Sequence, residues 1–158
     1  MPRRRFVRST PVQASARALF DWHEAPGAFA RLTPPWERVV VVSHEGGIRD
    51  GARVVLRVGP APFALRWELE HRDYDYGRQF CDQQVRGPFA YWRHVHTMRP
   101  DGPDRAVLED AIEYELPFGW LGDLIGGPIV RWKLARLFDW RHAVTRDAFD
   151  ASTTGAGT

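Results

Sequence analysis

Two histidines and two aspartates at strand-like spacing are the residues of this chain best placed to do chemistry. His94 and His96 are separated by one residue, with Asp82 and Asp110 in the runs before and after them. Alternate residues of a strand share a face, so the two imidazoles project the same way, about 6–7 Å apart at their Cα atoms. Asp82 or Asp110 from an adjacent strand completes a two-histidine, one-carboxylate set that suits a transition metal. The same residues can form an acid–base pair, since an aspartate beside a histidine orients the ring and raises its pKa. They can equally satisfy one another in an internal hydrogen-bond network. Buried polar groups without partners cost on the order of 1–3 kcal/mol each, so several on one face need a reason. Spacing leaves these readings open, and no metal or other cofactor is assigned from it. The chain holds no G-x-S-x-G, P-loop, G-x-G-x-x-G or H-E-x-x-H motif.

The composition narrows the function classes. At 158 residues the chain has the length of one domain with a sizeable core. Seven Trp, nine Phe and four Tyr make it aromatic-rich, which suits either a packed core or a pocket for a small molecule. Net charge is only +2, and arginines alternate with acidic residues along the strand-like runs. That pattern lacks the basic face of a nucleic-acid binder. A single cysteine, Cys81, excludes an intramolecular disulfide and a cysteine-rich zinc site. The basic N-terminus is not followed by an apolar run of signal-peptide length, and no apolar stretch reaches the roughly 18 residues of a membrane span. A cytoplasmic protein is the expectation.

The elements that must position the histidines follow from periodicity. Phe6 to Val12 reads as a short strand, and Ser15 as the N-cap of a short helix over 16–22. Pro26 opens a second short helix carrying Ala28, Phe29 and Leu32, which Thr33-Pro34-Pro35 must end. Six strands follow: 39–43, 53–58, 66–74, 78–86, 91–99 and 105–115. Short turns join the longer ones, so they pair antiparallel. Gly126-Gly127-Pro128 punctuates the chain. From Ile129 the apolar period becomes helical, through Val130, Leu134, Leu137 and Phe138 to about Phe149, or about 30 Å of helix. The prediction is an α+β fold: about seven antiparallel strands curled around a long C-terminal helix, with two short helices between the first and second strands. Residues 1–150 form one domain in this reading, and the low-complexity stretch 151–158 a disordered tail.

Alternation divides each long strand into two faces, and three of the four outer faces are plainly charged. The inner faces carry Trp67, Leu69 and His71, then Phe80, Asp82 and Gln84. Next come Trp92, His94, His96 and Met98, and last Leu108, Asp110, Ile112 and Tyr114. They are aromatic and aliphatic with a patch of His and Asp.

Several runs resemble the START-like (SRPBCC, helix-grip) superfamily. They are Pro26-Gly27-Ala28-Phe29 through Leu32-Thr33-Pro34-Pro35-Trp36, Glu70-His71 and Phe80-Cys81-Asp82. With them go Gly87-Pro88-Phe89-x-x-Trp92-x-His94-x-His96 and Asp110-x-Ile112-x-Tyr114-x-x-Pro117. In this order they are similar to a bacterial ligand-binding subgroup akin to polyketide cyclase and coenzyme-Q-binding domains, over Phe6 to about Phe149. The resemblance implies a helix-grip fold with a cavity between sheet and C-terminal helix, but no single reaction. Some members of the subgroup are similar to a domain fused to an epimerase-like dinucleotide-binding domain. For this chain such a partner would act in trans.

Binding or carriage of a small hydrophobic molecule (a lipid, quinone or polyketide) is therefore the expected function. Its wall would be Trp67, Leu69, Phe80, Trp92, Met98, Leu108, Ile112 and Tyr114, closed by Leu134, Leu137 and Phe138. His71, Asp82, His94, His96 and Asp110 would orient its polar group. The alternative is a cyclase or dehydratase in which His94 or His96 is the base, paired with Asp82 or Asp110. A homodimer or protein partner is left open.

Overall fold

The computed structural model describes residues 3–154. Seven strands form one antiparallel sheet: β1 (Arg4–Val12), β2 (Val39–Glu45), β3 (Arg53–Val58), β4 (Leu65–Asp75), β5 (Gln79–Arg86), β6 (Tyr91–Pro100) and β7 (Ala106–Glu115). Their order is β1-β7-β6-β5-β4-β3-β2, so consecutive hairpins run from β2 to β7 and β1 closes against β7. Between β1 and β2 stand α1 (Ala16–Glu24) and α2 (Ala28–Arg31), and α3 (Gly119–Thr154) ends the described chain. This is the helix-grip arrangement expected from the sequence.

Local chemistry accounts for the element boundaries. Ser15 caps α1, its hydroxyl accepting from the Ala18 amide at 3.2 Å. Gly27, at φ +82°, supplies the left-handed residue that starts α2. Along β6 and β7 every second residue is buried, as alternation predicts: Trp92, His94, His96 and Met98, then Leu108, Asp110, Ile112 and Tyr114. The outer face is less uniformly wet than its charges suggest, because Cys81 is fully buried there, opposite Arg72 and Val95.

The long helix departs from expectation at its start. Gly126-Gly127-Pro128 reads as punctuation ahead of a helix from Ile129, yet α3 begins at Gly119 and carries Pro128 inside its 36 residues, about 54 Å of helix. β1 holds the early turns in place. Arg4 makes a two-pronged ion pair with Asp123, with Nη2 donating to Oδ2 at 2.8 Å. The Arg4 guanidinium also packs so closely on Gly127 that a Cβ there would lie 3.3 Å from it. At the other end α3 runs to Thr154, into the stretch expected to be tail, and residues 155–158 lie outside the described residues.

Two apolar clusters make the core. One joins β1, β5, β6 and β7 to α1 through Val12, Leu19, Phe20, Phe80, Met98 and Leu108. The other joins the opposite halves of β1, β6 and β7 to α3 through Phe6, Trp92, Ile112, Tyr114, Leu134 and Phe138. Among the described residues, no helix is long and apolar enough to cross a membrane.

Candidate functional site

Between the two clusters lies a buried layer of imidazoles and carboxylates. Register places it: His71 of β4 pairs with Asp82 of β5, which pairs with His94 of β6, while His96 of β6 pairs with Asp110 of β7. All five point to the concave side, as alternation requires. The helix adds a sixth, His142, which sequence reasoning missed. The signal was present, because Leu134, Phe138 and His142 recur every fourth residue on one stripe of α3.

Each carboxylate gathers several rings. Nε2–H of His94 donates to Asp110 Oδ1 at 2.8 Å, and Nε2–H of His142 donates to Asp110 Oδ2 at 2.7 Å. Nδ1 of His142 lies 2.8 Å from the Thr10 hydroxyl. Nε2–H of His96 donates to Asp82 Oδ2 at 2.9 Å, while its Nδ1 sits 2.8 Å from Asp110 Oδ1. His71 Nδ1 approaches Asp82 Oδ1 to 2.6 Å but at an angle that makes no hydrogen bond, and that buried nitrogen is left without one. Aromatic faces seal the layer: Phe80 stacks on His96 with ring centres 4.1 Å apart, and Phe138 meets His94 edge-on at 5.2 Å.

The electrostatics split the histidines. Burial pulls the His96 pKa down, but Asp110 and Asp82 flank both its nitrogens and carry it up to about 9, an imidazolium. Burial and the charge on His96 push His94 down to about 4, a neutral ring. Burial would raise both aspartates. At Asp82 the close approach of His71 and the bond and charge of His96 overcome it. At Asp110 the His96 charge and the bonds from His142, His94 and His96 do so. Both stay well below the usual carboxylate range. His23 of α1, also missed from sequence, is lowered to about 4 by burial, although Nδ1–H donates to the Leu19 carbonyl at 2.8 Å.

A cavity of only about 10 Å³ adjoins this layer, lined by His23, His96, Asp110, Arg141, His142 and Thr145 together with Leu32, Leu108 and Phe138. That is room for about one water. Arg141 reaches it from α3, its Nε–H donating to the Leu32 carbonyl at 2.8 Å, and burial lowers its pKa. Asp82, His94 and His96 present donor atoms that all lie within 4.8 Å of one another, so these three could hold a metal ion.

The predicted ligand wall is mostly packed core. Phe80, Met98 and Leu108 sit in the α1 cluster, and Trp92, Ile112, Tyr114, Leu134 and Phe138 in the α3 cluster with Trp67, Leu69 and Leu137 at its margin. Large side chains on facing layers interdigitate there, and the imidazole layer fills the space between. The roomy pocket, about 440 Å³, lies elsewhere. Pro88 and Phe89 of the β5–β6 loop, Leu116, Pro117 and Phe118 of the β7–α3 turn, and Leu121, Gly122, Ile125, Gly126 and Val130 of α3 line it. Its geometry needs glycine at 122, where a Cβ would run into the Pro117 carbonyl. Phe118 takes φ +67° at its mouth, a left-handed conformation rare for a bulky residue.

A family model described as polyketide cyclase / dehydrase and lipid transport matches residues 12–139. No curated protein matches the chain. Among solved structures, the Zhui aromatase/cyclase from Streptomyces sp. R1128 is similar at TM-score 0.68 and 18% identity, over 99% of each chain. A norcoclaurine synthase point mutant from Thalictrum flavum is similar at 0.68 and 18%, over 93% of this chain and 96% of that one. A nucleoside-diphosphate sugar epimerase from Corynebacterium glutamicum is similar at 0.67 and 23%, over 90% of this chain and 28% of the epimerase. At these identities the likeness is one of fold.

Proposed function

The chain belongs to the polyketide cyclase / dehydrase and lipid transport family, and on that premise we propose that it binds and carries a small hydrophobic molecule in the pocket between the β7–α3 turn and the first turns of α3. One observation carries this reading: the pocket of about 440 Å³ has no titratable side chain in its lining. Small-molecule sites span roughly 300–1,000 Å³ and are mostly apolar, which fits a lipid, quinone or polyketide chain.

The alternative, acid–base chemistry at His94 and His96, requires a substrate beside them. The adjoining cavity takes about one water and shares no lining residue with the apolar pocket. That separation supports carriage over turnover. Native mass spectrometry of the purified full chain tests the proposal. A co-purifying lipid-like mass, displaced by a fluorescent fatty acyl probe, is the expected result. An unliganded protein that takes up no apolar probe overturns it.

A further inference from the structure

We propose that Asp82, His94 and His96 bind a divalent ion of the first transition row, zinc or a near neighbour, at the centre of the buried layer. The geometry converges on one carboxylate oxygen. Asp82 Oδ2 lies 2.9 Å from His96 Nε2 and 3.7 Å from His94 Nδ1. Metal–ligand bonds of about 2.0–2.2 Å place tetrahedral donors about 3.4 Å apart, a value these two separations bracket, and the ion takes the place of the Nε2 proton of His96, which passes to solvent on binding.

The far nitrogens of both rings meet a single oxygen. His94 Nε2 and His96 Nδ1 each lie 2.8 Å from Asp110 Oδ1. A carboxylate behind each ligating imidazole is how metal sites fix ring orientation and raise ligand basicity, and here one aspartate serves both. Asp110 is itself held by His142. A fourth donor is at hand: His71 Nδ1 is buried, without a hydrogen bond, and 2.6 Å from the other oxygen of Asp82.

Donor chemistry selects the ion. Imidazole with carboxylate suits zinc, cobalt, nickel or ferrous iron, not the soft ions that want thiolate. Cys81 precedes Asp82 on β5 and so faces the other side of the sheet. The two carboxylates balance a divalent charge, and Arg141 is the permanent cation along the adjoining cavity. Four strands and α3 already hold the ligands in place, so little ordering is needed on binding. The site stands independently of the apolar pocket and of what that pocket carries.

The test uses the full chain stripped by chelator, then titrated with Zn²⁺ by calorimetry and with Co²⁺ by visible absorption. Expected are one equivalent of each ion and cobalt bands without thiolate charge transfer. Asp82→Asn and His96→Gln should abolish stoichiometric uptake, and Asp110→Asn should weaken it about 10–100-fold. His44→Ala, which removes an exposed imidazole bonded to the Gly47 carbonyl, should change nothing. X-ray absorption at the zinc edge of the unmutated protein needs no variant, and two or three imidazole ligands are expected. Absence of stoichiometric uptake, or fewer than two imidazoles on the zinc, overturns the proposal.

Discussion

Nε2 of His142 sits 2.7 Å from Oδ2 of Asp110, a buried hydrogen bond that ties α3 to β7 across 32 residues of chain. Both groups are nearly inaccessible, at 3% and 4% exposure. Removing either therefore strands the other away from water.

His142→Ala should destabilise the protein by about 2–3 kcal/mol, the cost of breaking a buried charge-assisted bond. Asp110→Ala should cost about 3–5 kcal/mol, because three imidazoles lose their acceptor. A double-mutant cycle read by urea denaturation should give a coupling of about 0.5–3 kcal/mol. Additive effects would show that the pair does not act as a unit.

Stability of the metal-free protein should peak near pH 6.5 and fall on both sides. His96 has its pKa raised from 6.5 to about 9, so its contribution is complete below pH 6.5 and is lost as pH rises through 9. His94 and His23 are lowered from 6.5 to about 4, so theirs is complete above pH 6.5 and is lost as pH falls through 4. Asp82 and Asp110, held below 3.8, add a further loss in stronger acid. Thermal melts in low-salt buffers should trace this dome, with His96→Gln removing the alkaline limb.

Ile125→Asp should weaken binding of a fluorescent acyl probe at least tenfold while leaving the melting temperature within a few degrees. Ile125 lines the pocket yet is 66% exposed, so the charge meets the guest and not the core. Unchanged probe affinity would move the guest elsewhere.

Cys81 should resist alkylation at pH 8 until the protein unfolds. It is 0% exposed, and burial raises its thiol pKa to about 11. Iodoacetamide labelling followed by mass spectrometry across a urea series should track the unfolding transition.

The sheet was legible because three of the four long strands set a charged face against a mainly apolar one, and a period of two leaves one assignment of faces. That places His71, Asp82, His94, His96 and Asp110 together from sequence, and the register confirms it. Three things were hidden. His142 and His23 join through helices, whose angle onto the sheet no local pattern specifies. The start of α3 was hidden because Gly126-Gly127-Pro128 is local punctuation, while the Arg4 contacts to Asp123 and Gly127 that flank it come from β1, far away in sequence. That the roomy pocket lies apart from the expected wall was hidden because whether facing side chains leave a void depends on how they interlock, and residue types alone do not report that.

Pro128 has no N–H to give, so the carbonyl of Leu124 loses its helical donor in mid-helix. That gap divides α3 into lengths with different jobs. The later one carries Leu134, Phe138 and His142 and is locked into the core. The earlier one carries Leu121 and Ile125, both largely exposed along the pocket wall, and Asp123, its clasp to Arg4. Amides of 119–127 should therefore exchange with deuterium well before those of 134–145. On the proposed carrier function, admitting or releasing a guest and losing the fold would be separate events with separate thresholds, though a single helix takes part in both.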